Sequence, residues 1–84
     1  MKKVVTVVEA LYVSGHRLRL RFNDRTEKTV DFSPWLQGEV FRPLRDVSVF
    51  KKFFVAGGTV CWPNGADIAP ETLRQAEDAS ATAA

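Results

Sequence analysis

The sequence has only one cysteine, Cys61, and only one histidine, His16, among its 84 residues. One cysteine cannot form an internal disulfide, and these two residues fall short of the ligands that a zinc site needs from one chain. Nucleophilic catalysis needs a neighbouring base and a third group that orients it, and the sequence offers no such set. We therefore predict that the protein is not an enzyme and has no catalytic residue, metal site or cofactor.

Long apolar runs and phosphate-binding loops are also missing. The run Val4–Val8 is interrupted by Glu9, and no stretch approaches the ~20 apolar residues that cross a bilayer. No convincing cleavage site of small residues follows, which disfavours a signal peptide. Gly57-Gly58 lacks the Lys-Ser/Thr and the helix of a phosphate loop. We expect a soluble, cytoplasmic protein without a membrane partner.

The sequence does have an ordinary globular composition, with 45% hydrophobic and 26% charged residues. Its length allows one core, and the six Phe, two Trp and one Tyr must supply dense aromatic packing in place of disulfides or metal. We predict a single α+β domain over residues 1–75 and a disordered tail over residues 76–84.

Three strands are predicted in the first half. A β-branched run from Val4 to Val8, continuing to Val13, predicts a long first strand, and Ser14-Gly15 ends it. In the second strand, apolar residues alternate with Arg17, Arg19 and Arg21, which predicts an exposed arginine row. Glu27, Thr29 and Asp31 of the third strand should share that exposed face. The matching faces require an odd-length loop around Asn23-Asp24-Arg25, such as a type I turn followed by a left-handed residue.

Helices and a second hairpin are predicted after residue 32. Ser33 is the expected N-cap of a helical turn that stops at Gly38. Pro43 and Asp46 bracket the expected start of a second helix, which should end near Phe53. Gly57-Gly58 predicts a tight hairpin, and Pro70 opens a last helix. The fold class is thus α+β: a small twisted, mostly antiparallel sheet of about five strands with two or three short helices packed against it. The predicted core consists of Leu18, Leu20, Phe22, Val30, Phe32, Phe50, Val60 and Trp62.

From Cys61 to Leu73 the chain reads CWPNGADIAPETL. This segment resembles the ending of the bacterial family called domain of unknown function 2442. Residues 22–24, 30–32 and 41–50 also resemble that family, although Arg25 stands where the family often has glycine. The resemblance implies a compact α+β unit with no agreed activity. Some relatives are joined to a helix-turn-helix or encoded beside another small protein in a toxin–antitoxin-like arrangement, which implies regulation.

The arginine row is the first candidate site. Successive side chains on one face of a strand lie ~6.6–6.8 Å apart, so Arg17, Arg19 and Arg21 could meet phosphates of a nucleic acid. The alternative is a solvated face on which the arginines pair with residues of the third strand. We favour the solvated face, because opposite charges across strands are the usual way to finish an exposed sheet.

The segment from Trp62 to Asp67 is the second candidate. Trp62, Asn64 and Asp67 could form a binding surface, with an indole for stacking and polar groups for hydrogen bonds. They could instead form a structural clasp, with Trp62 in the core, Asn64-Gly65 in a turn and Asp67 bound to backbone amides near the last helix. We favour the clasp.

These observations favour a non-enzymatic regulatory or protein-interaction module that docks on a partner protein or on another copy of itself. An antitoxin-like protein is one form that such a module could take. A small domain with many aromatic residues and open sheet edges gains stability by association. The alternative is a nucleic-acid-binding accessory domain that uses the Arg17, Arg19 and Arg21 face. The net charge of only +2 counts against this alternative, because dedicated nucleic-acid binders are usually strongly basic.

Overall fold

The structure, a computed structural model, describes residues 4–79. Five antiparallel strands lie in two sheets, which confirms the α+β class but divides the predicted strands between two sheets rather than one. The first sheet contains β1 (Val7–Ser14), β2 (Arg17–Phe22) and β3 (Glu27–Asp31), and the second contains β4 (Phe54–Ala56) and β5 (Thr59–Cys61). The α-helices are α1 (Gly38–Phe41), α2 (Val47–Phe50) and α3 (Pro70–Gln75), with 3-10 turns at Ser33–Trp35 and Arg42–Arg45. No helix in residues 4–79 is long and apolar enough to span a membrane.

The loop between β2 and β3 has the odd length that the apolar pattern requires. The N–H of Phe22 donates to the carbonyl of Thr26, and the N–H of Arg25 donates to the carbonyl of Phe22. This leaves a three-residue loop that ends in Arg25 with a φ of +71°. The resulting register pairs Leu18 with Val30, so the apolar residues of both strands share one face. The predicted turn and register are confirmed, but Thr29, which was expected on the exposed face, is buried.

The predicted core is confirmed in full, since all eight of its members are buried. The structure adds six further buried apolar residues: Val7, Leu36, Leu44, Ala66, Ile68 and Leu73. At the centre, the ring centroids of Phe32, Phe50 and Trp62 lie 5.6–5.8 Å apart. Such aromatic contacts join elements from both halves of the chain.

The glycine hairpin connects the two sheets. Gly57 and Gly58 both have positive φ, +59° and +81°, as the tight turn between β4 and β5 requires. The carbonyl of Gly58 accepts a 2.7 Å hydrogen bond from the N–H of Val7 at the start of β1. A Cβ on Gly58 would lie 2.9 Å from a methyl carbon of Thr6, so a glycine is needed there for packing as well. This contact holds the second sheet against β1.

The helix boundaries differ in part from the prediction. Asp46 caps α2 as expected, because its carboxylate accepts hydrogen bonds from the N–H and the hydroxyl of Ser48. Ser33 is not a cap: its N–H donates to the Asp31 carboxylate at 2.9 Å, so the aspartate directs the turn. Gly38 begins α1 instead of ending a helix, and α2 ends at Phe50, before Phe53.

The outer edge of β3 is covered by the segment that follows α3. Lys28 lies opposite Leu20 on the core side of β3, and its Nζ donates to the carbonyls of Arg74 and Ala76 at 2.5 and 2.6 Å. The N–H of Thr29 donates to the Asp78 carboxylate at 3.1 Å. The packed chain therefore runs past the predicted boundary after residue 75. Residues 80–84 of the predicted tail lie outside the described residues.

The positive φ of Arg25 generates a stability prediction. A left-handed conformation costs a residue with a Cβ roughly 1–2 kcal/mol, and glycine avoids this cost. Glycine also gives the unfolded chain more conformational entropy, which offsets part of the stabilisation. Arg25→Gly should therefore raise the free energy of unfolding by about 0.5–1 kcal/mol in denaturant titrations. Arg25→Ala is the control, because it removes the side chain and keeps the strain. Equal stabilisation by both variants would contradict a backbone origin.

Candidate functional site

The face of the three-stranded sheet opposite the core, called the outer face below, carries the arginine row. The side chains of Arg17, Arg19 and Arg21 are 44–49% exposed, which confirms their predicted orientation. The row lies along the central strand β2, with β1 on one side and β3 on the other. Residues of both flanking strands therefore lie next to the row.

Each arginine of the row has a carboxylate beside it. Asp31 pairs with Arg17 at 4.0 Å, Glu27 pairs with Arg19 at 3.2 Å, and Glu9 pairs with Arg21 at 3.4 Å. Such half-exposed pairs contribute little to stability, but they leave the row with as many negative as positive charges. The sequence prediction named Glu27 and Asp31 as partners and missed Glu9, which the register between β1 and β2 places opposite Arg21.

The Asp31 carboxylate is held in its charged form. Partial burial raises the pKa of Asp31, but hydrogen bonds from Ser33 and the positive charge of Arg17 together lower it below its ordinary value. Asp31 thus remains ionised at neutral pH and continues to balance Arg17 at this end of the row.

Apolar side chains border the arginine row on β1. Leu11 lies directly opposite Arg19 and is 54% exposed, and Val13 is 48% exposed. Val8, at the irregularity between Val7 and Glu9, is also 48% exposed. The outer face therefore combines exposed apolar groups with paired charges.

A cavity of about 390 Å³ adjoins the outer face at the Arg17–Asp31 end. Besides Arg17 and Asp31, it is lined by Pro34 and Trp35 and by Ala76, Glu77 and Ala79. The Trp35 ring packs edge-on against the buried Phe32 ring with centroids 5.4 Å apart, so its orientation is fixed from below. The sequence prediction missed this cavity, because segments far apart in the chain line it.

The Trp62 side chain lies inside the core. It is 2% exposed, and its indole N–H donates a 2.8 Å hydrogen bond to the carbonyl of Phe50. The backbone then turns back on itself, because the N–H of Gly65 donates to the Trp62 carbonyl and the N–H of Trp62 donates to the Ala66 carbonyl. This is the geometry of the predicted clasp, and it leaves no face of the indole open for stacking on a ligand.

Asn64 and Asp67 have different positions in the clasp. The Asn64 amide donates to the Val40 carbonyl at 2.9 Å, and its oxygen accepts from the N–H of Ala66 at 3.1 Å. Asp67 pairs through its backbone with Cys61. The prediction that Asp67 binds amides near α3 is wrong, because Ala69 occupies the cap position without a side-chain bond. The structure therefore does not bring Trp62, Asn64 and Asp67 into one site with the arginine row.

These features define a small α+β domain whose accessible surface offers a charge-balanced sheet face with an adjoining cavity. The chain belongs to the family described as "Protein of unknown function (DUF2442)", whose model matches residues 7–79. No curated protein matches the chain, and no solved structure matches it. Because the family has no known activity, only the accessible surface of the domain indicates what it could bind.

The burial of Trp62 predicts a large loss of stability on truncation. Trp62→Ala should lower the free energy of unfolding by roughly 3–5 kcal/mol, because it leaves a cavity and removes the hydrogen bond to Phe50. Thermal and denaturant unfolding measure the loss. Trp35→Ala is the control, since Trp35 is only half-buried and its removal should cost less. A Trp62→Ala protein that melts within a few degrees of wild type would contradict the buried position.

The balanced arginine row predicts weak interaction with nucleic acid. We expect no specific binding of wild-type protein to labelled duplex DNA or RNA at physiological salt, as measured by fluorescence anisotropy. The triple variant Arg17→Ala, Arg19→Ala, Arg21→Ala should fold, because each exposed pair contributes only ~0–1 kcal/mol. Micromolar binding with a log–log salt slope near −3 for about three phosphate contacts, lost in the folded triple variant, would contradict the prediction.

Proposed function

We propose that the protein is a non-enzymatic interaction module that docks a partner protein on its outer face. The observation that carries this proposal is Leu11, a large apolar side chain that is 54% exposed in the middle of a paired-charge surface. Protein interfaces combine an apolar centre with a polar rim and are enriched in arginine. The outer face has this composition, and the clasp, whose indole is buried, does not.

The alternative function, nucleic-acid binding by the arginine row, has weaker support. Each guanidinium has a carboxylate within 4.0 Å, so the row lacks the excess positive charge that attracts phosphates. The carboxylates of Asp31, Glu27 and Glu9 lie beside the guanidinium groups, so they would also repel the phosphates of a nucleic acid that approached the row. A partner protein with its own mixed charges fits the row better, because it can match both signs.

Regulation through a partner is the form of this function that the family resemblance favours. An antitoxin-like role is one version of it and requires that the docked partner is harmful when produced alone. A cytoplasmic location is part of the proposal and is tested by cell fractionation.

The proposal is tested by partner capture from the cells that produce the protein. Wild-type protein and Leu11→Gln are tagged, cross-linked in cells and purified, and captured proteins are quantified by mass spectrometry. Removing an apolar interface centre should reduce a stoichiometric partner about tenfold. Val40→Gln is the matched control, because Val40 is 49% exposed and belongs to α1 rather than to the three-stranded sheet.

Loss of the partner in Leu11→Gln together with retention in Val40→Gln supports docking on the outer face. Equal capture by all three proteins, or no enriched protein at all, contradicts it. Co-purified nucleic acid that depends on the arginine row would instead favour the alternative function.

A further inference from the structure

We infer that the cavity beside the outer face receives a basic side chain, lysine or arginine, from the docked partner. This inference rests on the proposed function and names the chemistry of the partner at one point. The cavity volume of about 390 Å³ lies in the lower part of the ~300–1,000 Å³ range of ligand pockets. It suits one long side chain better than a large cofactor.

The first argument is charge. The cavity is lined by one guanidinium, Arg17, and by two carboxylates, Asp31 and Glu77. Arg17 and Asp31 balance each other at 4.0 Å. Within residues 4–79, the Glu77 carboxylate has neither an ion pair nor a hydrogen bond. One negative charge in the cavity is therefore left for a cation to match.

The second argument is the aromatic wall. Trp35 lines the same cavity as Glu77, and tryptophan is the best aromatic partner for an ammonium or guanidinium group. Its edge contact with Phe32 fixes the ring before anything binds, so little side-chain freedom is lost on binding. Pro34 extends the wall and can cover the alkyl part of a lysine or arginine.

Other occupants fit the cavity less well. An acidic side chain would meet Glu77 and would have to displace Asp31 to reach Arg17. An apolar side chain would leave the Glu77 charge unmatched in a partly enclosed site. Residues 80–84, Ser-Ala-Thr-Ala-Ala, have no charged side chain that could match Glu77.

The inference is tested by NMR titration of ¹⁵N-labelled full-length protein, followed at the indole N–H resonances of Trp35 and Trp62. The probes are acetyl-Ala-Lys-Ala-amide, the same peptide with neutral norleucine in place of lysine, and free 1,4-diaminobutane. The lysine peptide should shift the Trp35 signal saturably, with an affinity in the millimolar range expected of one exposed anchor. The Trp62 signal should stay unchanged, because that indole is buried and bonded to Phe50.

Charge-neutral variants test the role of Glu77. Glu77→Gln should weaken binding of the lysine peptide about fivefold, as expected for an exposed ion pair. Glu39→Gln, a matched change of an exposed glutamate on α1 outside the cavity, should leave the affinity unchanged. The Trp62 signal also reports whether each variant keeps its fold.

Several outcomes would overturn the inference: no saturable shift of Trp35, an equal shift with the norleucine peptide, or no effect of Glu77→Gln. Binding of diaminobutane without binding of the lysine peptide would also overturn it, because the cavity would then take a free amine rather than a protein side chain. The proposed function fails separately, if Leu11→Gln captures its partner as well as wild type does while the lysine peptide still binds.

Discussion

The hydrogen bond from the indole of Trp62 to the carbonyl of Phe50 joins two parts of the chain that have little stability of their own, and ring contacts with Phe32 add a third. Phe50 ends α2, which is four residues long, and isolated helices of that length do not persist in water. Trp62 follows the three-residue strand β5, and the ring of Phe32, next to β3, completes the cluster. Because Cys61 is the only cysteine and cannot bridge within the chain, this aromatic cluster takes over the task of a cross-link.

The segment that follows α3 determines which part of the three-stranded sheet remains available. The segment after α3 covers the edge of β3 through Lys28, and Arg74 donates to the carboxylate of Asp24 in the loop between β2 and β3. Hydrogen bonds from Thr26, supported by Arg74, lower the pKa of Asp24 to about 2, so this pairing persists through the neutral range. Among residues 4–79, one face of the three-stranded sheet lies in the core and this edge is covered, so the outer face is the face of that sheet that remains open.

Local patterns were sufficient for much of the fold. Two-residue alternation identified the buried face of β2, and the need to match faces across the hairpin determined the loop that puts Arg25 at positive φ. Lys28 could not be predicted in this way: a lysine on the core side of a strand makes sense only because carbonyls 46 and 48 residues away accept its hydrogen bonds. The candidate site also has one part that the sequence predicts and one part that it does not. The arginine row follows from alternation, whereas the cavity depends on residues 17, 31, 34, 35, 76, 77 and 79, which only the tertiary fold brings together.

The paired charges of the outer face bear on how a partner would be selected. Docking on Leu11 would remove water from the neighbouring pair of Arg19 and Glu27. A charge that loses its water must keep an oppositely charged partner, because an unpaired buried charge weakens binding strongly. A partner that places a like charge against Arg19 or Glu27 would lose roughly several kcal/mol of binding free energy. A partner with opposite charges there would gain little, because the two side chains already pair with each other. In the proposed docking, the apolar contacts would thus provide most of the affinity, and the charges would provide the selectivity. A balanced row is suited to that task, because it discriminates between partner surfaces without attracting every polyanion.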